Sequence, residues 1–188
     1  MRILVIGHVD HGKTEFICAL NQFLFKRFGI GSADRAKPTV DANNCVLAQE
    51  SVGYSMENVD YAFFDYPGYA DYLDMFDAGQ EKFDAALLVC AATDGPLPQT
   101  KDLFKKCLEC GIDKYVIYMS KADIVDDNEL LQLTAEEVLF MMEDAGYSDT
   151  NSVAVVYGGA YKALTSTDDK DSDFIMDIIR EVHKVCTR

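Results

Sequence analysis

Gly7-His8-Val9-Asp10-His11-Gly12-Lys13-Thr14 follows directly on the apolar run Arg2-Ile3-Leu4-Val5-Ile6, and the mixed apolar and polar residues 15–28 come next. The run before the eight reads as a buried strand and the stretch after them as a helix. A glycine-bounded loop between a strand and a helix opened by Lys-Thr is a phosphate-binding loop in the context it requires. Successive backbone N–H groups and the positive end of the helix dipole would surround an anion. Lys13 would reach the outer phosphates, and the Thr14 hydroxyl would ligate the Mg²⁺ that accompanies them.

Outward from this loop the chain alternates. Strands are expected at residues 3–6, 45–49, 61–65, 85–91, 115–119 and 153–157, and helices at 14–28, 69–80, 99–110, 128–145 and 173–185. Runs such as Ala85-Ala86-Leu87-Leu88-Val89-Cys90 are continuous rather than alternating, which indicates burial on both faces. The expected fold is therefore α/β in three layers. It has a six-stranded, mostly parallel sheet with helices on both faces. Segments 45–49 and 61–65 have no helix between them and read as an antiparallel edge hairpin. Ligands of such sheets bind at the carboxyl ends of the strands, where the motifs considered below all fall. Segments 29–44 and 165–173 read as polar loops.

The chain has 188 residues, 49% of them apolar, enough for one well-buried domain spanning residues 1–188. No apolar stretch is long enough to span a bilayer, and Met1 leads straight into the first strand, so a cytoplasmic, monomeric protein is the expectation. A net charge of −15 opposes any broad contact with nucleic acid or anionic membrane. It does not oppose one nucleotide held in a ring of amides. Of the six cysteines only Cys107-Leu108-Glu109-Cys110 has metal or redox spacing, and no second pair completes a zinc set.

Three further segments bear on which nucleotide. Asp65-Tyr66-Pro67-Gly68 ends the third strand. A carboxylate there can hold Mg²⁺ through water, and a glycine lets a backbone N–H approach a third phosphate; read alone, the segment is also an ordinary turn. Ser120-Lys121-Ala122-Asp123 follows an apolar strand. Asp123 can accept from guanine N1–H and the exocyclic amino group while the Lys121 stem covers the ring; adenine would leave that carboxylate unpaired. Its other reading is a helix N-cap. Gly158-Gly159-Ala160 is a turn signal that also offers a backbone N–H to guanine O6.

With these segments in this order the chain resembles the translational GTPases, and within them the GTP-binding domain of elongation factor Tu. The resemblance rests on residues 7–14, 65–72, 91–100, 121–127 and 158–164, and it is weakest between 29 and 58. It implies GTP or GDP with Mg²⁺ as ligands and two switch segments responsive to the third phosphate. The nucleotide-binding residues would be Val9, Asp10, His11, Gly12, Lys13, Thr14, Glu15, Ser120, Lys121, Asp123, Gly159, Ala160 and Tyr161. Mg²⁺ would be held by Thr14, Thr39 and, via water, Asp65. A ribosome or a nucleotide exchange factor would be the partner. The β-barrel domains with which the family grips tRNA have no counterpart in the sequence, so a divergent stand-alone or truncated nucleotide domain is expected.

The departures are specific. Tyr69, beside Gly68, stands where the family has the histidine that positions the attacking water. A phenol is neutral at pH 7 and longer than an imidazole, so slow hydrolysis is expected. Ser120 replaces an asparagine, Gly159 a serine and Glu15 a threonine. Guanine preference should survive the loss of one hydrogen bond with reduced affinity. A non-hydrolysing GTP-binding switch is the alternative reading. A nucleotide-free scaffold is a third, against which Gly12-Lys13-Thr14 and Asp123 argue.

Overall fold

The computed structural model describes residues 1–30, 50–66, 71–73 and 82–188. Six strands form one sheet: β1 (Arg2–Ile6), β2 (Glu50–Met56), β3 (Val59–Asp65), β4 (Ala85–Ala91), β5 (Tyr115–Ser120) and β6 (Ala154–Tyr157), in the order β2-β3-β1-β4-β5-β6. β1 runs parallel to both β3 and β4, β4 to β5 and β5 to β6, while β2 pairs antiparallel with β3 at one edge. This is the α/β arrangement of a P-loop nucleotide-binding fold.

Helices α1 (Lys13–Phe28), α4 (Ala160–Thr165) and α5 (Asp173–Thr187) cover one face; α2 (Pro98–Glu109) and α3 (Asn128–Asp144) cover the other. The central strands divide their side chains accordingly. Ile3, Val5, Leu87 and Val89 meet Phe16, Leu20, Phe174 and Ile178, whereas Leu4, Ile6, Leu88 and Cys90 meet Phe104, Cys107, Val138 and Met142. Every residue of β4 is buried, which is why its sequence shows no period of two. Helix boundaries follow from local chemistry. Pro98 opens α2 where a missing N–H costs nothing, and the Asp127 carboxylate accepts from the Glu129 and Leu130 amides to cap α3.

The edge hairpin forms with a different partner strand from the one expected. Segment 45–49 lies outside the described residues, and the strand paired with β3 is Glu50–Met56. Its inward residues Val52 and Tyr54 alternate with exposed Gly53 and Ser55, the pattern of a strand with one buried face. The turn that closes it uses Glu57 and Asn58, both at positive φ (49° and 65°), as a two-residue turn compatible with strand twist demands. The expected helix at 69–80 is described only at 71–73, which are helical. Among the described residues the six-residue α4 was not anticipated, nor were three single helical turns, Ala122–Ile124, Thr150–Ser152 and Asp169–Ser172, the last inside the segment read as a loop.

No described helix is long and apolar enough to cross a membrane.

Candidate functional site

The carboxyl ends of β1, β3, β4, β5 and β6 share one edge of the sheet, and each carries a segment with polar chemistry. After β1 the backbone turns sharply at Gly7. A Cβ there would lie 2.2 Å from the Val89 carbonyl oxygen, so only glycine lets the loop leave the strand against β4. Asp10 adopts φ 65°, left-handed backbone that costs a non-glycine residue energy and is found where a site imposes it. The loop ends on Gly12 as N-cap of α1, with no side chain capping the first amides. Those amides are left for a ligand.

Lys13 is 7% exposed. Its ammonium donates to the carbonyls of Gly7 and His8, each at 3.1 Å. Burial lowers its pKa, and the nearby carboxylates of Asp65, Glu15 and Asp10 oppose that shift. The ammonium thus rests on its own loop, with carboxylates nearby. One residue on, the Thr14 hydroxyl donates to Asp65 Oδ2 at 2.9 Å, which brings the ends of β1 and β3 together. The buried Tyr72 hydroxyl lies behind this pair, 2.5 Å from the Val5 carbonyl and 3.3 Å from Asp65 Oδ1. Desolvation raises the Tyr72 pKa well above its ordinary value, so it remains a neutral donor.

His11 lies under the loop, 1% exposed, and neither ring nitrogen has a hydrogen-bond partner. Burial, then the neighbouring His8, lowers its pKa to about 4. It is therefore neutral at pH 7, and its 3.9 Å approach to Asp94 Oδ2 is not an ion pair there. Lys121 Nζ lies 3.9 Å from the same oxygen. Asp94, just after β4, thus stands between the phosphate loop and the segment after β5.

That segment is tied to the loop directly. The Ser120 hydroxyl donates to the His11 carbonyl, so the shorter side chain still braces the loop. Lys121 takes φ 55°, a second left-handed non-glycine residue at the same edge, and a single helical turn carries Ala122–Ile124. The Asp123 carboxylate reaches over Gly159. A Cβ on Gly159 would fall 2.1 Å from Asp123 Oδ1, so the missing side chain makes the room that the carboxylate occupies. The β6–α4 connection is held by the Gly158 amide on the Met119 carbonyl (3.1 Å) and the Ala122 amide on the Gly158 carbonyl (3.2 Å).

Asp10, Gly12, Glu15, Ser120, Lys121, Asp123, Gly159, Ala160 and Tyr161 line one cavity of about 310 Å³, together with Ile124. Lys13 and Thr14 face the adjoining end of the crevice with Asp65. Val9 is exposed and His11 is buried below the loop. Thr39, Gly68 and Tyr69 lie outside the described residues. Sequence reading did not single out Asp94, Ile124 or Tyr72 as site residues. Asp94 carries a signal in its place after β4, directly before a glycine. Tyr72 and Ile124 fall inside segments that carry the resemblance, but by residue type they carry no signal beyond apolar character.

A family described as the elongation factor Tu GTP binding domain matches residues 1–185 of the 188. The match runs through every strand of the sheet and every segment that builds the crevice, so guanine nucleotide binding comes with it. This chain belongs to the elongation factor Tu GTP-binding domain family.

Proposed function

We propose that the domain is a Mg²⁺-dependent guanine-nucleotide switch of the translational type that hydrolyses GTP slowly. The observation that carries the proposal is the single crevice in which a phosphate loop with a buried, inward-folded Lys13 adjoins the 310 Å³ cavity beneath Asp123. The loop amides and Lys13 take the phosphates. Asp123 accepts from the base, with the Lys121 stem and Tyr161 beside it. Ser120 holds the two halves in register through the His11 carbonyl.

The metal end fits Mg²⁺ by the chemistry of its donors. Thr14 and Asp65 offer one hydroxyl and one carboxylate, already 2.9 Å apart, and no cluster of three or more His, Cys, Asp or Glu surrounds them among the described residues. A hard cation carried in on phosphate needs one or two protein oxygens and keeps its waters, whereas an all-protein cage would need more. Mg²⁺ would neutralise phosphate charge, and Thr39 is the further ligand proposed from the sequence.

Slow turnover follows from Tyr69. Lacking an imidazole at the position that orients water, the domain should hydrolyse GTP about 10²–10⁴-fold more slowly than a member with histidine there. Single-turnover phosphate release, with and without ribosomes, tests this. Tyr69→His should raise the rate by at least tenfold at unchanged GTP affinity. A wild-type rate matching that of a histidine-bearing relative, indifferent to Tyr69→Ala, would refute slow hydrolysis.

A further inference from the structure

Tyr118 sits in the middle of β5, fully buried, with its ring stacked on Phe174 (centroids 5.3 Å apart, 10° between planes) and tilted against Phe16 at 5.3 Å. A ring wedged between two others cannot swing away, so its hydroxyl is fixed in space. That hydroxyl lies at the floor of the β6–α4 connection. It accepts the Ala160 backbone N–H at 3.1 Å and donates to the Gly158 carbonyl at 3.3 Å. Phe174 in turn needs Gly158, because a Cβ there would lie 2.3 Å from its ring. Ala160 lines the cavity beneath Asp123. Its N–H is the donor that the sequence reading offers to guanine O6, and the following rests on the base site proposed above.

We infer that Tyr118 determines base specificity and affinity by competing, through its hydroxyl, for the Ala160 N–H that would otherwise read the guanine 6-carbonyl. One N–H cannot serve two acceptors at full strength. The phenol is a standing competitor, whereas the base carbonyl gains the bond only by displacing or sharing it. Asp123 then carries most of the discrimination, and bound guanine leaves more readily than from a site whose amide is unclaimed. The opposite role, a clamp that preorganises the connection for the nucleotide, uses the same two bonds and predicts the opposite sign.

Titration calorimetry with GDP and 6-thio-GDP distinguishes the two, since sulfur at position 6 is a weak acceptor. Tyr118→Phe keeps the ring and its stacking. It should bind GDP roughly threefold to tenfold more tightly than wild type, the worth of one net hydrogen bond, with little gain for 6-thio-GDP. Wild type itself should separate the two ligands by less than about threefold, a comparison that needs no variant. Unchanged or weaker GDP binding by a folded Tyr118→Phe, or a wild-type preference for GDP over 6-thio-GDP of tenfold or more, overturns the inference. It would do so while leaving the base site standing, provided Asp123→Asn still erodes the preference of wild type for GDP over ADP. Failure of both proteins to bind any guanine nucleotide overturns the inference and the site together.

Discussion

Lys13 and His11 are two residues apart in one loop, and burial acts on them in opposite functional senses. Lys13 keeps its charge by leaning on two carbonyls and on nearby carboxylates. The phosphates of a guanine nucleotide offer it a full counter-charge, so Lys13→Ala should weaken GDP binding by about a hundredfold or more, the loss of two charge-assisted contacts, measurable by calorimetry. His11 has no such partner and stays neutral. Its pKa is near 4 in the fold against an ordinary 6.5, so below neutrality the unfolded chain binds protons first. The stability that depends on a neutral His11 is complete above about pH 6.5 and is lost as pH drops toward 4. Thermal melts between pH 7.5 and 4.5 should show His11→Gln losing a few degrees less than wild type over that span. Parallel losses would mean that His11 is not the group being protonated. That the glycine-Lys-Thr loop and the Asp123 segment would fall after strands was legible in the sequence, from residue type and spacing. The hydroxyl contacts of Tyr72 and Tyr118 were not: one falls in an expected helix and the other in an apolar strand, where a tyrosine looks like core until its hydroxyl is seen to have partners.

Elements whose burial is total announced themselves, and elements set by backbone geometry did not. β1, β4 and β5 are nearly continuous apolar runs, the pattern of strands covered on both faces. β2 was misplaced because the apolar Cys45-Val46-Leu47 outweighed the quieter alternation of Glu50–Met56, and because Glu57-Asn58 lacks the glycine that usually marks a two-residue turn. α4 was missed because a six-residue helix opened by Gly158-Gly159 has too few residues to show a period. The turn gives a sharp test at this level. Asn58 holds φ 65°, which asparagine tolerates and β-branched residues do not. Asn58→Val should cost about 1–2 kcal/mol in urea unfolding, and Asn58→Gly should cost nothing. Equal stability for the two variants would place the hairpin turn elsewhere.

Across the whole molecule, five parallel strand ends deliver five short segments to one crevice, on a chain whose net charge is −15. Such a field resists polyanions over the broad surface, and the crevice answers it locally with amides that no side chain caps at the start of α1 and with a buried ammonium. Left-handed backbone at Asp10 and Lys121, one on each side of the crevice, places strain where the two halves of a nucleotide would be gripped. The most direct test is a calorimetric titration of the full chain with GDP and ADP at fixed Mg²⁺, for wild type and for Asp123→Asn. Wild type should bind GDP at least about a hundredfold more tightly than ADP, the mark of a carboxylate matched to two donors on the base, and Asp123→Asn should lose most of that margin. Equal affinity of wild type for the two nucleotides, or a margin that survives the substitution intact, would contradict the reading of the crevice as a guanine site.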